Sequence, residues 1–233
     1  QVPILSDSGQ LLGMHSLREI IGGGERPNTA VLMAGGRGER LRPLTDSVPK
    51  PMLPVAGRPI LEWIVLHLVG VGIRRIRIAL NYLGHVIESH FGDGSDFGCE
   101  IAYLREPSPL GTGGALSLLD EPIAEPLLVM NGDVMTSFHV GDLLDSHART
   151  GAAVTVGIHE YRHTVPFGVV TLDGNRVVGL REKPTELWLA NAGIYALSPA
   201  VVRRVRRNVV VQLPELIEEA LEKFNARFKE EDK

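Results

Sequence analysis

The chain of 233 residues carries a formal net charge of −4, is 44% hydrophobic and 22% charged, and contains one cysteine, Cys99. That balance suits one large α/β domain, or such a domain with a fragment attached, and argues against wholesale binding to nucleic acid or to a membrane surface. One thiol excludes an internal disulfide and a cysteine-based zinc site; with no leader-like segment and no long apolar run, the cytoplasm is the expected location.

In chain order, VPILSDSGQLLGMHSLREII (2–21) reads as strand, turn at Asp7-Ser8-Gly9, strand, and a short helix capped by Ser16 with Glu19 three residues on. A glycine-rich linker over 23–28 follows. From Thr29, TAVLMAGG is a short apolar run ending in glycine, as a buried parallel strand would. Pro59 opens a helix in which Leu61, Ile64, Val65 and Leu68 share one face. RRIRIAL, CEIAYLRE and PLLVMNGDV read as strands; HVIESHF, TGGALSLLD and VGDLLDSHARTG read as helical, the last ending at a glycine. This alternation over 29–150 predicts a doubly wound, mostly parallel sheet. Over 151–233 the rhythm changes to strands with hairpin-type turns (AAVTVGIHE, PFGVVTLDG, RVVGLREKP, ELWLANAGIYAL), then helices at VVRRVRR and PELIEEALEKF. The expected ligand groove lies between these halves, at the carboxyl ends of the strands.

The loop LMAGGRGERLRPLTDSVPKPMLPV carries the chemistry. Gly36-Arg37-Gly38-Glu39-Arg40-Leu41 offers only the first two glycines of a dinucleotide fingerprint, and Pro43, Pro49 and Pro51 prevent the helix that must follow at once. The Gly-Lys-Ser/Thr of a P-loop is absent. A glycine turn at a strand end still presents backbone N–H groups to an anion, Arg40 adds a planar fork, and Lys50 between two prolines is a point charge on a stiff backbone. His159-Glu160-Tyr161-Arg162-His163 spells a zinc-protease motif, but it sits on a strand pattern rather than the helix which that motif needs. Trp63 and Trp188 read as packing residues.

Ala34-Gly35-Gly36-Arg37-Gly38-Glu39-Arg40-Leu41-Arg42-Pro43-Leu44-Thr45 followed by Pro49-Lys50-Pro51 resembles the signature of sugar-1-phosphate nucleotidylyltransferases. Four further blocks resemble that family in order: Glu106 to Gly114, Asn131-Gly132-Asp133, Phe167 to Val170 with Glu182-Lys183-Pro184, and Asn191 to Tyr195. The resemblance implies a Rossmann-like doubly wound mixed sheet over 29–233, with a nucleotide-binding half (29–150) and a sugar-binding half (151–233). It implies transfer of a nucleoside monophosphate from an NTP to a sugar-1-phosphate, with pyrophosphate leaving. It places Met33, Ala34, Gly35, Gly36, Gly38, Glu106, Gly111 and Thr112 on the nucleotide, and Gly168, Glu182 and Asn191 on the sugar. Arg40, Lys50 and Lys183 would grip phosphates, and Asp133 would hold Mg²⁺.

Where uridine- or thymidine-specific relatives commonly carry Gln, this chain has Glu106. A carboxylate only accepts hydrogen bonds, and guanine presents two adjacent donors, so GTP is favoured; UTP, dTTP or CTP remain alternatives. Glu39 departs from the family's small hydroxyl residue, and its side chain either turns away or helps hold metal. The stretch Val2–Ile21 resembles the end of a CBS domain (1–22), a combination most like the guanylyltransferases of the bacterial legionaminic acid pathway. It would allow an adenine nucleotide there if the region were complete, leaves a homo-oligomer open, and supplies the rival reading of a non-catalytic regulatory subunit. Heptose- and mannose-1-phosphate enzymes stay open too. The family's second metal-binding Asp, in a Trp-x-Asp-Ile-Gly-like stretch, does not appear after PELIEEALEK in these residues: either that stretch lies beyond them, or the chain lacks the ligand and Mg²⁺ would be held by one carboxylate and the substrate phosphates.

Overall fold

The computed structural model describes the backbone of residues 2–5, 11–15 and 24–231, and the side chains of 24–222. Strands β1 (Val2–Leu5) and β2 (Leu11–His15) pair antiparallel, as the alternation predicts. The expected turn at Asp7-Ser8-Gly9, the helix after Ser16 and any nucleotide site there lie outside the described residues.

Strand β3 (Arg26–Met33) starts three residues before the expected Thr29. Arg-Pro-Asn has loop composition, but tertiary partners hold it extended. The Arg26 guanidinium sits 2.7 and 3.0 Å from the two Asp145 oxygens, and Asn28 Nδ2 donates to Pro126 O at 2.8 Å. A small hairpin of β4 (Pro54–Val55) and β5 (Arg58–Pro59) leads into α1 (Ile60–Gly70), entered through Pro59 as expected. Then come β6 (Ile73–Leu80), α2 (Gly84–Phe91), β7 (Glu100–Arg105), the single turn α3 (Gly111–Gly114), β8 (Leu127–Asn131) and α4 (Val140–Thr150), which ends at Gly151 in the left-handed region. The second half holds β9 (Val154–Thr164), β10 (Val169–Asp173), β11 (Arg176–Arg181), β12 (Thr185–Leu197), α5 (Pro199–Val202) and α6 (Leu213–Glu231).

Six strands form the main sheet in the order β7-β6-β3-β8-β12-β9. The first four are mutually parallel, and β12 and β9 add antiparallel. Both faces are covered, so successive residues of β3 enter opposite cores. Ala30 and Leu32 pack with Leu61, Ile64 and Leu68 of α1, Ile87 of α2 and Leu144 of α4. Val31 packs with Leu104, Leu116, Val129, Tyr195 and Leu213. The mixed doubly wound sheet expected from the sequence is therefore present.

Two elements differ from expectation. The helix expected over VVRRVRR stops at Val202. Arg203, Arg204, Arg206 and Arg207 would repel one another at helical spacing, and Asn208 adopts φ +60. Trp188 packs outside the core: it is 46% exposed on β12, with the rings of Tyr161 and His163 at 6.1 and 6.5 Å. His159 and His163 do lie on a strand, where four residues of extended chain separate them by roughly 13 Å, too far to share one metal ion.

Leu68 of α1 is fully buried between helix and sheet. Leu68→Ala should cost about 2–5 kcal/mol of stability, read from the urea midpoint at unchanged m-value.

Candidate active site

The parallel strands run in space as β7-β6-β3-β8, so the chain leaves β3 toward β6 on one side and returns to β8 on the other. A crevice opens where the direction of winding reverses, beyond the carboxyl ends of β3 and β8. Met33 and Asn131 are register partners at that edge. Gly132 N donates to Met33 O at 2.8 Å, and a Cβ at Gly132 would lie 2.9 Å from that oxygen, so the turn into Asp133 needs glycine. A cleft of about 390 Å³ fills this place.

Its walls gather residues far apart in the chain. Met33, Ala34, Gly35, Gly36, Gly38 and Arg40 come from the loop after β3, and Lys50 from the helical turn Lys50–Met52. Glu106, Gly111 and Thr112 come from the segment after β7, and Asn131 and Asp133 from the end of β8. The structure thus brings every sequence-selected nucleotide residue, with Arg40, Lys50 and Asp133, into one cleft. Lys183, Gly168, Glu182 and Asn191 are not among its lining residues.

The loop is shaped to receive an anion. Among the described residues, the backbone N–H groups of Gly36, Arg37 and Gly38 donate to no protein acceptor. The loop is closed from below: Gly38 takes φ +62, buried Thr45 donates from Oγ1 to Gly38 O at 3.0 Å, and Tyr82 Oη donates toward Thr45 O and Asp46 O. A Cβ at Gly38 would sit 2.9 Å from Thr45 Cγ2 and 3.1 Å from Lys50 Cβ, so glycine sets the distance between loop and lysine. Glu39 opens the helical turn Glu39–Leu41; it is not among the lining residues of this cleft but lines an adjoining hollow with Gly38, Arg40 and Lys50.

Lys50 Nζ donates to Asp133 Oδ2 in a close ion pair. Both side chains are about a third exposed (35% and 31%), so the pair is worth roughly 0–1 kcal/mol, little enough for an arriving phosphate to redirect the lysine. Asp133 offers hard carboxylate oxygen at the cleft floor, which fits a divalent cation. Among the described residues no group of three or more His, Cys, Asp and Glu is positioned around one ion.

Glu106 is half-buried at the opposite end. Burial pushes its carboxyl pKa up, partly offset by the Leu110 N–H donated to Oε1 at 3.4 Å. A Cβ at Gly35 would lie 3.1 Å from Glu106 Oε2, so glycine there lets the carboxylate stand over the loop.

On the arm formed by β9 to β12, Gly168 and Glu182 approach closely: a Cβ on the glycine would be 3.0 Å from Glu182 Oε2. Lys183 takes φ +44, an unfavourable region for a lysine, and its N–H donates to Phe167 O at 3.3 Å. Asn191 uses part of its amide at the backbone irregularity of β12, donating to Tyr195 Oη at 2.8 Å and accepting from Gly193 N at 2.9 Å. Gln212, before α6, also lines the cleft and went unnoticed in the sequence. It lies about a hundred residues from its contact Thr112 and belongs to no local motif.

These features define a cleft with an anion-receiving loop at the switch point of an open α/β sheet. A family model described as "Nucleotidyl transferase" matches residues 29–232, and the chain belongs to that family. Over 182 residues it is 39% identical to a mannose-1-phosphate guanylyltransferase of Mycobacterium tuberculosis, covering 76% of this chain and 50% of that protein. It is 35% identical to the mannose-1-phosphate guanylyltransferase catalytic subunit beta of Danio rerio, covering 76% and 51%. The chain spans about half the length of the curated relatives it matches. Among solved structures, HddC from Yersinia pseudotuberculosis superposes with a TM-score of 0.59 at 27% identity, covering 75% of this chain and 78% of that one. No helix among the described residues is long and apolar enough to cross a membrane.

Gly111 takes φ +76, and a Cβ there would meet Val211 O at 2.6 Å. Gly111→Ala should therefore lower stability by about 1–3 kcal/mol in urea unfolding and displace the cleft wall.

Proposed function

We propose that the cleft binds GTP and a sugar-1-phosphate and transfers the guanylyl group to the sugar phosphate, releasing pyrophosphate. The observation that carries this reading is the convergence on one cleft of an anion-receiving glycine loop with Arg40, a partly exposed Lys50 paired with Asp133, and the Glu106 carboxylate. The names of the relatives support guanylyl transfer, and mannose-1-phosphate is the first acceptor to test.

A sugar-phosphate oxygen attacks the α-phosphorus, the bond from that phosphorus to the bridging oxygen of the β-phosphate breaks, and pyrophosphate departs with the electron pair. The nucleophile is already ionised at neutral pH, so the chain need supply no strong general base. Its contribution is orientation and charge neutralisation. The free N–H groups of Gly36 to Gly38 and the Arg40 fork hold the β- and γ-phosphates and then the leaving pyrophosphate. Lys50 leaves Asp133 and turns onto the reacting phosphate. Asp133 would hold Mg²⁺, which when bound supplies Lewis-acid neutralisation of phosphate charge. Lys183, with Glu182 and Gly168 beside it, approaches the sugar phosphate from the arm. Asn191, whose amide keeps one N–H and one lone pair beyond its bonds to Tyr195 and Gly193, would serve the sugar hydroxyls with Glu182.

Ionised Glu106 accepts from guanine N1–H and the N2 amine; protonated, it cannot accept both. Its raised pKa means that GTP affinity should begin to fall, as pH is lowered, at higher pH than an exposed glutamate would dictate. Pyrophosphate release with a panel of triphosphates and sugar-1-phosphates should be greatest for GTP. Glu106→Gln should weaken GTP use about tenfold, leave other triphosphates less affected, and flatten the pH profile. Unchanged preference among the triphosphates would overturn the guanine reading. Nucleotide binding without turnover for any pair would favour a regulatory subunit.

A further inference from the structure

The segment before α6 crosses the mouth of the loop after β7 as a strap. Val211 O accepts from Gly113 N at 2.8 Å and Gly114 N at 3.1 Å, and Val211 N donates to Leu110 O at 2.9 Å. This fixes the backbone next to Gln212 against the wall that also carries Glu106.

The orientation of the Gln212 amide follows from its partners. Oε1 accepts from Thr112 N at 3.3 Å and from Thr112 Oγ1 at 3.2 Å. A backbone N–H can only donate, so the amide oxygen must face Thr112. Thr112 Oγ1 already accepts from Leu213 N at 2.9 Å, which leaves its own hydrogen for Gln212. Every partner on this side is assigned, and Nε2 is turned the other way. It lies over Gly111, where a Cβ would be 2.7 Å from it, and among the described residues it donates to no acceptor. Gln212 lines the same cleft as Glu106. The cleft therefore presents a pure acceptor and an oriented but unused donor on two segments tied together through Leu110, whose N–H donates to Glu106 Oε1 and whose carbonyl accepts from Val211 N.

We propose that Gln212 is the second base-reading side chain of the cleft, donating from Nε2 to the O6 carbonyl of guanine while Glu106 accepts from N1–H and the N2 amine. This rests on the guanine reading above and extends it: the base edge of guanine runs acceptor, donor, donor, and the two side chains supply donor, acceptor, acceptor. Thr112 is a positioning residue, acting through the amide it holds.

The test uses the full chain and binding rather than turnover. Calorimetric titration compares GTP with 6-thio-GTP, which keeps N1–H and the amine but carries a weaker acceptor at position 6. The wild type should bind GTP more tightly. Gln212→Glu keeps the oxygen that Thr112 requires and replaces the donor by an acceptor. It should weaken GTP about tenfold or more and 6-thio-GTP markedly less, so that the preference for oxygen shrinks. Gln212→Met, which carries neither group, should also lose that preference and guards against disturbance of the strap by a new charge. Equal losses for both nucleotides in both variants, or no loss in either, would overturn the role of Gln212 while leaving the guanine reading standing. A wild type that binds GTP no better than the other triphosphates would overturn the guanine reading itself, and the pairing with it.

Discussion

The site depends on one strand pair. Parallel pairing of β3 with β8, in a register that sets Met33 beside Asn131, brings two loops about a hundred residues apart to the same edge. The hydrogen bond from Gly132 N to Met33 O locks the two strand ends together just where each releases its functional residues. Strand exits in a parallel sheet point the same way, so the phosphate loop and Asp133 must share one side. Fully buried residues on both faces of β3 hold that pair in place, and a one-residue slip would exchange the two cores.

Glycine then controls spacing on the scale of a single carbon atom. Gly35 admits Glu106, Gly38 admits Thr45 and Lys50, Gly111 admits the strap, and Gly132 admits the β3 carbonyl. At each position the neighbour is either a group with a chemical role in the cleft or the backbone that carries one. The electrostatics are correspondingly light. The cleft holds Arg40 and Lys50 against Asp133 and Glu106, and the one ion pair between them is exposed enough to be exchanged at small cost. The cleft side chains are balanced in charge, so an anion would be received by backbone N–H groups and by the placement of Arg40 and Lys50 rather than by a net positive field.

Much of this was legible in the sequence. Apolar runs ending in glycine, Pro59 at a helix start and Gly151 at a helix end are local signals, and the elements they predict are present. The phosphate loop was legible for the same reason: its glycines, prolines and cations lie within twenty residues. What was not legible depends on tertiary partners, or on side-chain geometry that a pattern of residue types does not express. Arg26 reads as linker until Asp145 is seen beside it. The helix expected at VVRRVRR fails through repulsion among its own arginines. The bonds of Asn191 to Tyr195 and Gly193, which engage one N–H and one lone pair of its amide, carry no sequence signal either. Gln212 carries no local pattern and becomes visible only through Thr112. Gly168, Glu182, Lys183 and Asn191 lie on a long antiparallel arm rather than on the cleft wall, a separation that their proximity to one another in sequence does not express.

The central claim is that the switch point between β3 and β8 grips the triphosphate while Glu106 reads the base. A co-crystal structure with a non-hydrolysable GTP analogue tests it most directly. The account predicts β- and γ-phosphates against the N–H groups of Gly36 to Gly38 and Arg40, Lys50 turned from Asp133 onto phosphate, and the guanine edge against Glu106. A nucleotide seated elsewhere, or one in this cleft with its base away from Glu106 and Lys50 still on Asp133, would contradict it.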